Sequence, residues 1–151
     1  MHMDITNNTS CIFCKIGAGK DQNTQIVYQD EDFVVFRDIR PASNHHYLVI
    51  PKIHVPNPKQ LNQSHIPLVE KLISIGQQVL TEKKGDIDDT SYGFHWPPFN
   101  SISHLHLHVI SPASSMSWFQ RVIFRPNSFW FVTAEWLISR LKAMEMTPCR
   151  M

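Results

Sequence analysis

Residues 101–110 read Ser-Ile-Ser-His-Leu-His-Leu-His-Val-Ile, three histidines in strict alternation with aliphatic residues. In an extended chain alternate side chains face opposite ways. His104, His106 and His108 therefore share one face, roughly 6.5–7 Å apart along the chain. Leu105, Leu107, Val109 and Ile110 give the strand its buried side and its β-propensity. Imidazole titrates near pH 6.5 (about, unperturbed), so such a ladder can act at neutral pH as nucleophile, proton carrier or metal ligand.

Two chemistries compete with the bland reading of a solvated strand face. One is a metal site, since histidines two apart on a strand can bind zinc with further ligands from elsewhere. The other is nucleotidyl or phosphoryl transfer, in which a central histidine attacks phosphorus and its neighbours hold the phosphate. The run alone leaves both open. A second candidate is the pair Cys11 and Cys14. It reads either as small residues opening a short helix or as half of a four-ligand zinc site. A redox role is disfavoured, because no βαβ pattern follows.

Neighbouring segments separate the alternatives. His104 to Ile110 matches at all seven positions the signature of the histidine triad superfamily: histidine and aliphatic in alternation, closing on two aliphatics. His46-Tyr47-Leu48-Val49-Ile50-Pro51-Lys52-Ile53-His54 resembles a second motif of that superfamily. Cys11-Ile12-Phe13-Cys14-Lys15-Ile16 and Phe36-Arg37-Asp38-Ile39-Arg40-Pro41 are similar to its nucleotide-pocket segments. The four stand in order over most of residues 11–112. In detail the chain resembles the Hint branch and its third subclass. The likeness there rests on Gly93-Phe94-His95 before two prolines, on Ser101 to His104, and on Asn127-Ser128-Phe129-Trp130-Phe131.

The resemblance implies an adenosine 5′-monophosphoramidase: a hydrolase that splits AMP–amine bonds through a nucleotidyl-histidine and releases AMP. His106 would be the nucleophile and His108 the donor to a phosphate oxygen. His104 would orient the ladder with His46, and Ser101 would hold the bridging atom of the leaving group. Asp38 would take the ribose hydroxyls, while Phe13, Ile16, Phe36 and Ile39 would enclose a purine. Arg37, His95 and Asn100 complete the nucleotide-binding set. Some members of the family bind zinc through such a cysteine pair and two histidines. By motif position these are His46 and His104, giving a structural ion with Cys11 and Cys14. Catalysis itself would require no cofactor. A homodimer with sheets joined edge to edge is also implied. Trp96 to Ser101 departs from the branch's Gly-Gly-Gln-Ser loop, so the leaving-group side differs. An aprataxin-like hydrolase of adenylated nucleic acid and a non-catalytic nucleotide-binding scaffold are the alternatives.

Composition agrees with a globular chain. The 151 residues are 42% hydrophobic and 18% charged, enough for one domain with a single core. A net charge of +1 with neutral histidines lacks the basic surplus of a nucleic-acid binder. No apolar run approaches about 18 residues, so no membrane span is expected. The polar start, Met1 to Ser10, has no apolar core of a secretory signal. Three cysteines without such a signal suggest a reducing compartment, so a cytoplasmic and also nuclear location is expected.

The elements that must position these residues follow from patterning. Residues 1–10 and 145–151 are expected to be tails around a single domain, 11–144. Residues 11–18 read as a short helix. Strands are expected at 25–29, 32–37, 46–51, 92–96 and 105–110. Ser64 is expected to cap a long helix with Pro67 in its first turn, carrying a 3.6-period stripe from Ile66 to Leu80. Val122 to Phe124 reads as a short strand, and Thr133 as the cap of a last helix from Ala134 to about Met144. Strands and helices without βαβ alternation predict an α+β fold. Its sheet would be antiparallel with about five strands, one long helix and one or two shorter ones, the arrangement of the histidine triad fold.

Overall fold

The computed structural model describes residues 10–144. The tails expected at 1–10 and 145–151 lie, apart from Ser10 itself, outside the described residues. So does Cys149.

Six strands form one sheet: β1 (Ile26–Gln29), β2 (Phe33–Arg37), β3 (His45–Pro51), β4 (Ser91–His95), β5 (Leu107–Ser111) and β6 (Phe131–Thr133). Their order is β1-β2-β3-β5-β4-β6, and every neighbouring pair is antiparallel. Four α-helices accompany it among the described residues: α1 (Ile12–Gly17), α2 (Ile66–Glu82), α3 (Trp118–Ile123) and α4 (Ala134–Met144). The α+β class and the antiparallel sheet are as the patterning predicts.

The period of each element decides which face it gives to the core. On α2, Val69, Leu72, Ile75, Val79 and Leu80 are buried against Val35, Tyr47, Val49, Leu107 and Val109 of the sheet. Full burial of each such side chain stabilises by about 1.5–3 kcal/mol before entropy is counted. α4 adds Leu137 and Leu141 to the same core. On the opposite face Val34, Phe36, Leu48 and Ile50 receive Phe13 and Ile16 of α1. Beside them Ala42, Ile110, Met116, Phe124 and Phe131 form a third cluster.

Four local expectations are corrected. First, β5 begins at Leu107, two residues later than expected, because its partner register runs out at Val49. His104 and His106 precede the paired strand, and Leu105 N–H donates instead to Val55 O at 2.6 Å. Second, residues 122–124 are no strand. Trp118–Ile123 is helical, opened by a capping box in which the Ser117 side chain accepts Gln120 N–H and Gln120 reaches back to Ser117 N–H. Third, a sixth strand forms at Phe131–Thr133 beside β4. Fourth, Ser64 does not cap α2. It lies in a 3₁₀ turn, Gln63–His65, whose capping residue is Asn62, and α2 starts directly after it with Pro67 in the first turn.

Gly93 makes the sixth strand possible. A Cβ there would lie 2.7 Å from Val132 O and closer still to the Phe131 ring. Only glycine admits β6 and its aromatic side chain this close to β4. The edge that β4 would otherwise present is thus covered by the chain's own β6.

Candidate active site

The face of the sheet opposite α2 collects the chemistry. His106 is 8% exposed, with its ring edge-on to Phe13 at 5.1 Å and to His108 at 5.0 Å. Its Nδ1–H donates to His104 O at 2.6 Å. A carbonyl can only accept, so this contact fixes the proton on Nδ1 and leaves the Nε2 lone pair bare. Burial pushes the His106 pKa down to about 4, outweighing the raising effect of the bond to His104. The imidazole is therefore neutral at pH 7, and neutrality is what a nitrogen nucleophile needs.

The neighbouring protons follow by the same logic. Ala42 N–H donates to His46 Nδ1 at 2.9 Å, so His46 carries its proton on Nε2. That Nε2–H donates to His108 Nδ1 at 2.9 Å, which leaves the proton of His108 on Nε2. His108 Nε2 is buried and has no partner among the described residues. An unsatisfied buried donor costs about 1–3 kcal/mol, a cost that an anionic oxygen accepting it would remove. Burial holds His46 down at about 3 and His108 well below the usual histidine range, so both stay neutral. Asp38 Oδ2 lies 3.4 Å from His46 Nε2, and burial raises the Asp38 pKa against the lowering pull of Arg40 N–H and His106. Asp38, His46 and His108 offer atoms close enough for a metal. Both His46 nitrogens and His108 Nδ1 are already engaged, however, which leaves no histidine lone pair for an ion.

His95, at the end of β4, packs its ring at 5.0 Å from both His108 and Phe131 and at 5.2 Å from Phe124. Its Nε2–H donates to Ile123 O at 3.3 Å, leaving Nδ1 as the acceptor. Together with His106, Asn100 and Asn57 it lines a small cavity between the 56–58 loop and the loop preceding the triad. Asn100 is half-buried and Ser101 exposed on that loop. Phe124 and Phe131 wall the site, at 5.2 Å and 5.9 Å from the His108 ring, a role the sequence pattern gave to neither.

The expected purine residues divide. Phe13, Ile16 and Phe36 form an apolar floor, with Phe13 and Phe36 edge-to-face at 5.2 Å. Ile39 stands 88% exposed at the rim, one residue beyond Asp38. Arg37 is not brought to the site. Strand alternation turns it to the α2 side, where its guanidinium lies 5.2 Å over the Tyr47 ring.

The metal-ligand set is also corrected. His46 is engaged by His108 and does not meet the cysteines, nor does it pair with His104 as expected. Cys11, Cys14, His54 and His104 come together, with all four ligand atoms within 4.8 Å of one another. Cys11 Sγ is 3.4 Å and Cys14 Sγ 3.5 Å from His104 Nδ1, and Cys14 Sγ is 3.2 Å from His54 Nδ1. A zinc tetrahedron with Zn–S about 2.3 Å and Zn–N about 2.0–2.1 Å has S···N edges of about 3.6 Å, so the donor set fits. His104 Nε2–H donates to Pro51 O at 2.8 Å, which fixes Nδ1 as the ligand atom. Burial, then the hydrogen bond that its S–H gives to Cys11 and the charge there, push the Cys14 thiol up to about 12.

Comparison with known proteins bears on this geometry. The family model described as "Scavenger mRNA decapping enzyme C-term binding" matches residues 10–123. Adenosine 5′-monophosphoramidase HINT3 of Xenopus tropicalis is 47% identical over 135 residues, spanning 89% of this chain and 88% of that protein. Aprataxin of Ciona intestinalis is 30% identical over 132 residues, 83% of this chain and 33% of that protein. A solved histidine triad protein from Clostridium difficile superposes with a TM-score of 0.66 at 25% identity, over 70% of this chain and 93% of that one.

Proposed function

This chain belongs to the histidine triad superfamily, and on that premise we propose that it is an adenosine 5′-monophosphoramidase. His106 Nε2 attacks the α-phosphorus of an AMP–amine, forming an N–P bond as the bond to the amine breaks and the amine leaves with a proton taken from solvent. Water then adds to phosphorus and returns a proton to solvent, the histidine N–P bond breaks, and AMP leaves with His106 neutral again. Two steps of moderate barrier replace one difficult displacement. The single observation that carries this reading is the pair of opposed nitrogens. His106 Nε2 is bare because Nδ1–H is anchored to a carbonyl, and beside it His108 Nε2–H is buried without an acceptor among the described residues. A nucleophile and an oxyanion donor are what attack on phosphorus requires.

Around them, Asp38 accepts the ribose hydroxyls, and Phe13, Phe36 and Ile39 contact the purine. His46 holds the proton position of His108, and Ser101 meets the bridging nitrogen. The homodimer implied by the family resemblance belongs to the same proposal, and light scattering on the purified protein reads it. The deciding experiment is His106→Asn assayed on a fluorogenic adenosine phosphoramidate. Turnover is lost while AMP still binds. Residual turnover above about a hundredth of the parent rate, a barrier change below ~2.7 kcal/mol, overturns the assignment.

Structural zinc at Cys11, Cys14, His54 and His104 is the second part of the proposal. When bound, the ion supplies cross-linking of the N-terminal segment to the triad loop, and the chemistry stays with His106. Zinc is retained in His46→Ala and lost in His54→Ala. The opposite result restores the ligand set expected from the sequence.

A further inference from the structure

With the nucleoside against Phe13, Phe36 and Asp38, the phosphate against His108 and the bridging nitrogen against Ser101, the substituent of the departing amine still needs a place. Ser101 stands between Asn100 and Ile102, and both of these line the small cavity that His106 also lines. Phe13 takes the other side of the His106 ring. A chain running on from a nitrogen at Ser101, away from the nucleoside, therefore enters this cavity. Its space of about 170 Å³, part of it open solvent, is below the roughly 300 Å³ at which pockets for drug-sized ligands begin, so the substituent is small.

The walls are chemically narrow. Pro56, Pro58, Ile102 and Leu105 make them apolar, and apart from histidines the polar side chains are Asn57 and Asn100. Among the described residues no carboxylate, ammonium or guanidinium lines the space. Hydrogen bonds orient both amides. Asn57 caps the 3₁₀ turn Pro58–Gln60, and its Oδ1 accepts Lys59 N–H at 2.9 Å, which leaves Nδ2 as its donor. Asn100 is set the opposite way: its Nδ2–H donates to Ile102 O at 3.4 Å, which leaves Oδ1 as an acceptor. Both residues are half-buried. One donor and one acceptor at the border of an apolar space are the complement of a carboxamide.

We propose that this cavity is a leaving-group subsite selective for small amines that carry an uncharged amide, with Asn57 Nδ2–H donating to the amide oxygen and Asn100 Oδ1 accepting from the amide N–H. The inference rests on the reading of His106 as the nucleophile of a phosphoramidase, and it names the class of amine for that site. A free carboxylate in the same place gives up water, meets no cation, and faces the lone pairs of Asn100 Oδ1. An alkyl group of the same size displaces water and leaves both asparagine atoms unpaired.

The test uses the full chain and three AMP phosphoramidates of matched size, whose amines are glycinamide, glycine and isobutylamine. kcat/KM is read on the parent, and affinity on His106→Asn by competition with AMP. The glycinamide compound should exceed each of the others by about tenfold, the worth of a good hydrogen bond. Asn57→Asp keeps an oxygen for Lys59 N–H but loses the donor, and should cut the glycinamide-to-isobutylamine ratio by about tenfold. Asn57→Lys supplies a cation, and should move the glycinamide-to-glycine ratio towards glycine by at least about tenfold. Ratios within one variant cancel any general loss of fold or rate, and a variant too slow to assay is read by the same ratios of affinity. Equal kcat/KM for the three compounds, or ratios that neither variant moves, overturns the proposal and leaves the phosphoramidase reading standing. A parent that hydrolyses none of the three overturns that reading instead. The affinities on His106→Asn then decide the subsite: tighter binding of the glycinamide compound by about tenfold upholds it, and equal binding overturns it.

Discussion

At the scale of the residue, the chain's chemistry is decided by where four protons sit. His106, His108 and His95 each have one ring nitrogen committed to a partner, and the commitment names the free one, while His46 has both nitrogens engaged. Asp38, proposed to take the ribose hydroxyls, gives a test. Asp38→Ala should weaken AMP binding on the order of tenfold, as expected when a carboxylate that accepts two hydroxyls is removed. On the parent, 2′-deoxy and 3′-deoxy analogues should each reproduce part of that loss. Equal affinity for ribo- and dideoxynucleotides would take Asp38 off the ribose. His106 and His108 were legible in the sequence because strand alternation alone puts them on one face. The fourth member of the candidate metal cluster was not. His46 is the second residue of β3 and His54 lies past its end. At about 3.3 Å per residue the strand carries them to different places, and only the register against β5 tells which one meets His104.

At the scale of the element, the site depends on a strand that is three residues long. Phe131 of β6 reaches His95 and His108 because Gly93 lets it lie across β4. Gly93→Ala should therefore destabilise the fold by about 1–3 kcal/mol through overpacking, and should lower activity more than a matched surface change. Urea denaturation with a parallel assay reads both. Parental stability and activity would show that β6 can shift without cost. The long elements were legible: α2 has a clear 3.6 period, and the central strands are apolar on both faces. Residues 113–133 were not. Their apolar residues fit a strand or a helix equally over so short a span. The Ser117–Gln120 capping box was the local signal for a helix at 118–123, and β6 has only the tertiary signal of the glycine opposite.

At the scale of the whole molecule, the buried neutral histidines tie stability to pH. His46 is held at about 3, and His108 and His95 also lie below the ordinary value, each first through burial. In the unfolded chain they titrate near about 6.5. Between those values the unfolded state binds more protons than the native one, so stability rises with pH in that window. It is fully present above about 6.5 and is lost progressively as pH falls towards the native values. Each such group contributes up to about 1.4 kcal/mol per pH unit. Denaturant unfolding at pH 7 and pH 5 should show a marked drop at the lower pH, and His46→Asn should reduce it. A protein equally stable at both pH values would contradict the burial of neutral imidazoles. No described helix is long and apolar enough to cross a membrane. The central claim for the molecule is a covalent nucleotidyl-histidine, and rapid acid-free quenching of the protein during turnover, followed by intact mass and peptide mapping, tests it most directly. The account predicts a transient species heavier by one adenylyl group, mapped to His106 and absent from His106→Asn. Full turnover with no adduct at any time, or an adduct on another residue, would contradict it.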